Sequence, residues 1–334
     1  MFKKKNLIFT IITLLLLVFT GYVLADTFLI TRVYSSVEYE TSLETTSSSS
    51  SANAAENSDS EEDESDQTDS TVSFAQNAAE DGTQSKEAIQ TISTANTYQD
   101  ENMTITLTEY TAYDTTYYVA DVQLSDASYL QTALAQSAYG RNVSQTTSDI
   151  SDSVGAILAI NGDNYGSQRS GYVLRNGTLY RNQAERGQED LVIYEDGSFE
   201  VINESEVSAE ELLENGAVQI LSFGPALIEN GSIAVTESDE VGRAKASNPR
   251  TAIGIIDNLH YVFVVSDGRT DESEGLSLYQ LAEVMEELGV ETAYNLDGGG
   301  SSTLYFNGQV INNPTTNGNS TKERKVSDIV YIGY

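Results

Sequence analysis

Three hydrophobic regimes follow one another along the chain. Residues 7–25 form one uncharged apolar run behind Lys3, Lys4 and Lys5. About 19 such residues are long enough to cross a bilayer as a helix. Val23-Leu24-Ala25 is a poor small-x-small cleavage site, so the run reads as an uncleaved anchor rather than a signal peptide. The expectation is a single-pass protein of the cell membrane: a cytoplasmic tail at 1–6, a transmembrane signal anchor at 7–31, and the C-terminal domain extracellular, because lysines favour the cytoplasmic side. Residues 32–96 are dominated by Ser, Thr, Asp, Glu and Ala. They bury too little apolar surface to offset ordering entropy, which predicts a disordered linker acting as a spacer.

Residues 97–334 carry the periodic patterns of a folded domain. Positions 103–108 alternate apolar and hydroxyl residues, as a half-buried strand does, and 116–124 reads as an antiparallel partner. Asp126 or Ser128 is placed to cap a helix through Tyr129, Leu130, Ala133 and Leu134. The continuous apolar run 154–160 predicts a buried strand ending on Asn161, Gly162 and Asp163. Asn176-Gly177, Asp196-Gly197 and Asn307-Gly308 mark hairpins. Ser208 to Glu211 and Ser277 to Gln280 are capping boxes, the second opening an amphipathic helix with Leu278, Leu281, Ala282, Met285 and Leu288 on one face. Further strands are predicted at 251–256, 261–265, 292–296 and 326–332. The fold class is α+β: a mixed, mostly antiparallel sheet core with a few packed helices.

Composition narrows the chemistry. Formal net charge is −34, which excludes nucleic acid as a natural partner. The absence of cysteine removes disulfides, thiolate metal sites and cysteine nucleophiles. His260 is the single histidine and sits in a predicted turn, so multi-histidine zinc sites cannot be built. Carboxylates, hydroxyls, arginines and lysines remain. They gather at predicted strand ends: Asn161 and Asp163, Arg250, Asp267 and Arg269, and Asp297 before Gly298, Gly299, Gly300, Ser301 and Ser302. Three successive glycines imply that something comes very close to the backbone. The acidic cluster Asp271, Glu272 and Glu274 offers oxygens to calcium, though without EF-hand spacing.

The motifs Asn161-Gly162-Asp163-Asn164-Tyr165, Phe223-Gly224-Pro225, Arg250-Thr251-Ala252, Asp267-Gly268-Arg269 and Asn295 to Thr303 resemble the phosphodiester glycosidase family. The family includes the lysosomal uncovering enzyme and bacterial proteins labelled exopolysaccharide-related. The resemblance runs from about residue 157 to 331. It implies a hydrolase acting on a sugar 1-phosphodiester in a phosphoglycan or cell-surface polysaccharide, without a required cofactor. Asp297 is the expected nucleophile or base, with Asp163 or Asp267 as second carboxylate. Arg250 and Arg269 are expected on the phosphate, with Asn161 and Gly298 to Ser302 lining the substrate. The other readings are a non-catalytic phosphoglycan or teichoic-acid binder and a calcium-dependent structural domain.

Overall fold

The computed structural model describes residues 2–37, 91–239 and 247–334. Four α-helices occur among them: α1 (Phe2–Phe28), α2 (Thr147–Val154), α3 (Ala209–Glu214) and α4 (Leu278–Glu287). Every strand ladder among the described residues is antiparallel.

A nine-stranded sheet runs in the order Ser232–Ile233, Ala226–Glu229, Thr292–Asn295, Thr251–Asp257, His260–Ser266, Thr115–Leu124, Met103–Ala112, Thr97–Gln99, Ile92–Ser93. Its central strands are continuously apolar because both faces are covered. Val262 and Val264 pack toward Leu278, Leu281 and Met285 of α4, while Tyr261, Phe263 and Val265 enter the opposite core. The helix is nucleated by its capping box: Gln280 N donates to Ser277 Oγ at 3.1 Å, and Ser277 N donates to Gln280 Oε1 at 2.9 Å. Gly254 gives it room, since a Cβ there would lie 2.8 Å from Met285 Cε and 2.6 Å from Val290 Cγ1.

The opposite core is closed by two five-stranded sheets. One holds Gln309–Val310, Leu304–Phe306, Leu158–Asn161, Asp328–Ile332 and Leu130–Leu134; the other holds Thr178–Arg181, Val173–Arg175, Ala217–Leu221, Glu189–Tyr194 and Phe199–Asn203. Leu158, Ile160, Leu304 and Val330 of the first, with Leu191, Ile193 and Leu221 of the second, meet Ile105, Val122, Ile253 and Phe263 of the large sheet. Ile150 and Val154 of α2 cover the back of the first, and Ala209 and Leu212 of α3 the back of the second. Helix, sheet, sheet and helix thus form successive layers.

Three sequence expectations change. Residues 130–134 are a strand, not a helix: Asp126 caps only the short 3-10 turn Ala127–Tyr129, and Leu130–Leu134 pairs with Asp328–Ile332. Apolar spacing of three and four fits either state over so few residues, and the ladder with a distant strand decides. Among the described residues no helix is long and apolar enough to cross a membrane, so the structure does not support the anchor expected at 7–31. Finally, both ends of the expected 32–96 linker form strands. Arg32–Ser36 pairs with Ala138–Arg141, and Ile92–Ser93 with Thr97–Gln99 ends the large sheet. Residues 38–90 lie outside the described residues.

Two buried carboxylate systems hold the second layer together. Arg175 Nη2 lies 2.8 Å from both Asp163 Oδ2 and Asp328 Oδ2, and Asp163 Oδ2 also accepts from Ser222 N at 2.8 Å. This triad joins the two five-stranded sheets. Burial, and then the Asp163 charge, push Asp328 up to about 7. Nearby, fully buried Asp190 accepts no hydrogen bond from the described residues. Burial, followed by its neighbour Glu204, pushes it up to about 9, so it stays protonated and can donate to Glu204. Glu204 accepts from Tyr172 N at 2.7 Å and Ser222 Oγ at 3.3 Å.

Arg175→Met leaves two buried carboxylates uncompensated and is expected to cost about 3–5 kcal/mol, read from the urea midpoint; a loss below about 1 kcal/mol would show that the triad does not hold the layer. The folded state retains protons on Asp190 and Asp328 that the unfolded chain releases above the ordinary carboxylate range. Their contribution is therefore full at low pH and is lost as pH rises toward about 7 for Asp328 and about 9 for Asp190. Melting temperature is expected to fall from pH 5 to pH 9, and to fall less in Asp190→Asn; equal slopes in the two proteins would contradict the shared-proton arrangement.

Candidate functional site

The ends of three strands converge on the side chain of Asn161, which is fully buried at the end of Leu158–Asn161. Its Nδ2 donates to Asp297 O at 2.6 Å, while its Oδ1 accepts from Thr251 Oγ1 at 2.8 Å and Thr303 N at 3.2 Å. Asp297 N donates in turn to Gly162 O at 3.3 Å. The backbone of Asp297 is thereby clamped at the exit of Thr292–Asn295. Asn161 is a positioning residue, and its burial corrects the expectation that it touches substrate.

The Asp297 side chain turns outward. Its Oδ2 accepts from Ser301 Oγ at 2.7 Å and Arg324 Nη2 at 2.6 Å, and Arg324 Nε donates to Ser301 Oγ at 2.8 Å. Oδ1 receives no hydrogen bond from the described residues. The Asp297 side chain is 10% exposed and that of Arg324 42%, so this ion pair meets solvent. Arg269, exposed and in the left-handed region at φ 64°, completes a cationic edge. Its Nη2 donates to Asn248 Oδ1 at 3.0 Å and its Nη1 to Thr316 O at 2.5 Å. Burial, and then the charge of Arg324, lower its pKa, placing the two guanidinium groups in each other's field.

The three glycines admit protein groups. A Cβ on Gly298 would lie 2.9 Å from Pro249 O, on Gly299 2.8 Å from Arg269 Nη2, and on Gly300 2.4 Å from Thr316 Oγ1. Their loop is also largely self-satisfied: Gly299 N donates to Pro249 O, Ser301 N to Gly298 O and Ser302 N to Gly299 O. The loop thus also seats the Arg269 guanidinium. Ser302 is fully buried, and Ser301 serves as the relay between Asp297 and Arg324.

The other expected residues fall elsewhere. Asp163 has no exposed surface and is held in the Arg175 triad, apart from the solvent-facing pair of Asp297 and Arg324. Asp267 is 5% exposed and accepts from Asn313 N at 2.7 Å, Asn313 Nδ2 at 3.1 Å and Asn312 Nδ2 at 3.2 Å, which ties down the loop at 312–313. Arg250 is 3% exposed with its Nε donating to Leu276 O at 2.9 Å, bracing the chain ahead of α4. His260 opens a strand, with its Nε2 3.0 Å from Asp121 Oδ2. Asp271, Glu272 and Glu274 are exposed, and among the described residues no group of three or more His, Cys, Asp or Glu side chains could hold a metal ion. The residue missed from sequence is Arg324. Its signal was Lys322-Glu323-Arg324-Lys325, a basic cluster in a strongly acidic chain, directly before the closing strand.

A cavity of about 560 Å³ opens beside Arg269, lined also by Thr270, Asp271, Glu272, Asn313, Thr315 and residues 317–321, and large enough for a sugar unit; neither Asp297 nor Arg324 borders it. Chemically, the assembly offers one accessible carboxylate oxygen and two guanidinium groups suited to phosphate oxygens.

The chain is 29% identical over 184 residues to an uncharacterized SPbeta prophage-derived protein, YomE, of Bacillus subtilis, covering 54% of this chain and 28% of that protein. It is 38% identical over 123 residues to human N-acetylglucosamine-1-phosphodiester alpha-N-acetylglucosaminidase, covering 33% of this chain and 24% of the enzyme. The chain thus spans little more than a quarter of the length of these relatives. The catalytic domain of the zebrafish enzyme of the same name, in a structure auto-inhibited by its pro-peptide, superposes with a TM-score of 0.56 at 21% identity, covering 70% of this chain and 83% of that one, which establishes a shared fold. The profile of the phosphodiester glycosidase family matches residues 154–333, and the chain belongs to that family.

Proposed function

We propose that the protein hydrolyses a sugar 1-phosphodiester of the α-N-acetylglucosamine 1-phosphate type in cell-surface or exopolysaccharide glycans. The observation that carries this reading is the solvent-facing pair of Asp297 and Arg324, 2.6 Å apart, with Arg269 alongside. A phosphomonoester leaves as a stable anion, so bond cleavage demands positive charge on the phosphate more than a strong general acid. Arg324 and Arg269 supply that charge in a fixed array. Asp297 Oδ1 acts at the anomeric carbon, as nucleophile or as base for the attacking water. The phosphate departs with the bonding electrons, and water contributes its hydroxyl to the sugar.

An extracellular position for the domain, with residues 7–31 as its anchor, rests on Lys3 to Lys5 and the apolar run 7–25 of the sequence alone.

The test is incubation of the full chain with a GlcNAc 1-phosphodiester and with cell-wall phosphoglycans, following released sugar. Asp297→Asn is expected to lower kcat/KM by about 10²–10⁴-fold. Arg324→Met and Arg269→Met should each lower kcat by about 10²–10³-fold. Release of sugar by Asp297→Asn at the wild-type rate would end this assignment, and binding without turnover in the wild type would make the domain a phosphoglycan-binding module.

A further inference from the structure

A second polar cavity, of about 160 Å³, lies where the N-terminal strand Arg32–Ser36 crosses Ala138–Arg141. It shares no lining residue with the cavity at Arg269, and neither Asp297 nor Arg324 borders it. Its walls include Arg141, Arg169 and Arg181, together with Tyr34, Tyr139 and Tyr165. Among the described residues no carboxylate pairs with any of these three arginines, in a chain of net charge −34. Arg141 Nε and Arg181 Nη2 are moreover buried with no hydrogen-bond partner. Buried guanidinium N–H groups left unmade are costly, and an arriving anion would satisfy them.

The aromatic wall is equally organised. Tyr139 stacks on Tyr165 at 5.4 Å and on Tyr180 at 4.9 Å, and Tyr34, 60% exposed, leans on Tyr139 at 5.8 Å. Tyr34 is brought there by the N-terminal strand, whose passage requires Gly140: a Cβ at that position would lie 2.2 Å from Arg32 O. The volume is close to that of a cavity that holds one benzene, so it accommodates one phosphoryl group or one small ring and no more.

We propose that this cavity is a phosphate-binding subsite for an anionic glycan, with the phosphoryl group held by Arg141, Arg169 and Arg181 and the adjoining sugar ring laid against Tyr34. The choice of a glycan phosphate rests on the phosphoglycan reading of the Asp297 site; the anion specificity rests on the arginines. The subsite would hold a second charged unit of the same polymer away from the reacting bond. Four of its walls, Tyr34, Tyr139, Gly140 and Arg141, lie outside the segment 154–333 that matches the family.

The test is calorimetric titration of the full chain carrying Asp297→Asn, so that nothing is consumed, with N-acetylglucosamine 1-phosphate and with neutral N-acetylglucosamine. A binding event is expected that persists in Arg324→Met, weakens at least tenfold in the double variant Arg141→Gln, Arg169→Gln, and weakens in Tyr34→Ala. Neutral N-acetylglucosamine should not compete for it. Arg181 is left intact because its Nη1 donates to Tyr165 O and Gln168 O, which makes it part of the local fold; unchanged melting temperatures certify the other variants. Identical titrations with and without Arg141 and Arg169, or equal binding of the neutral sugar, would overturn the proposal. The reading of Asp297 fails by a different result, absence of turnover in the wild type, which this titration does not measure.

Discussion

The carboxamide of Asn161 is the constraint on which the site depends. One side chain joins Asp297 O, Thr251 Oγ1 and Thr303 N, groups from separate strands, inside a core that water does not reach. Only an amide can donate on one side and accept on the other at this length. An aspartate would lack the donor for Asp297 O, and a leucine would leave all three groups unpaired. With the backbone of Asp297 fixed in this way, the glycines that follow bring Pro249 O, the Arg269 guanidinium and Thr316 against it. The position of the Asp297 backbone is therefore set by buried neutral hydrogen bonds, while the ion pair with Arg324 orients its side chain.

Exposure separates the roles of chemically similar groups. Asp163 and Asp297 both follow a strand of the core, and both pair with arginine. Asp163 pairs with an Arg175 side chain that is 2% exposed, between two sheets, where a charge pair fixes geometry at a desolvation cost. Asp297 pairs with a side chain that is 42% exposed and so remains in contact with solvent. Asp190 shows a third outcome: with no arginine paired to it among the described residues, burial and then its neighbour Glu204 push its carboxyl up to about 9.

The N-terminal strand alters the relation between the domain and what precedes it. Arg32–Ser36 pairs with Ala138–Arg141 and Ile92–Ser93 joins the large sheet, so the chain just after α1 is part of the fold.

The antiparallel sheet core, the α4 capping box and most hairpins were legible in the sequence, because each is signalled by neighbouring residues: alternation, Ser277 to Gln280, and Asn-Gly turns. The strand at Leu130–Leu134 was not, since its only support is the ladder with Asp328–Ile332. Nor could sequence distinguish Asp163 from Asp297, or Arg250 from Arg324, as the groups open to a ligand. Those roles follow from which strand ends meet and which side chains the meeting buries. Burial and partnership are properties of residues far apart in the chain, so only the tertiary structure decides them.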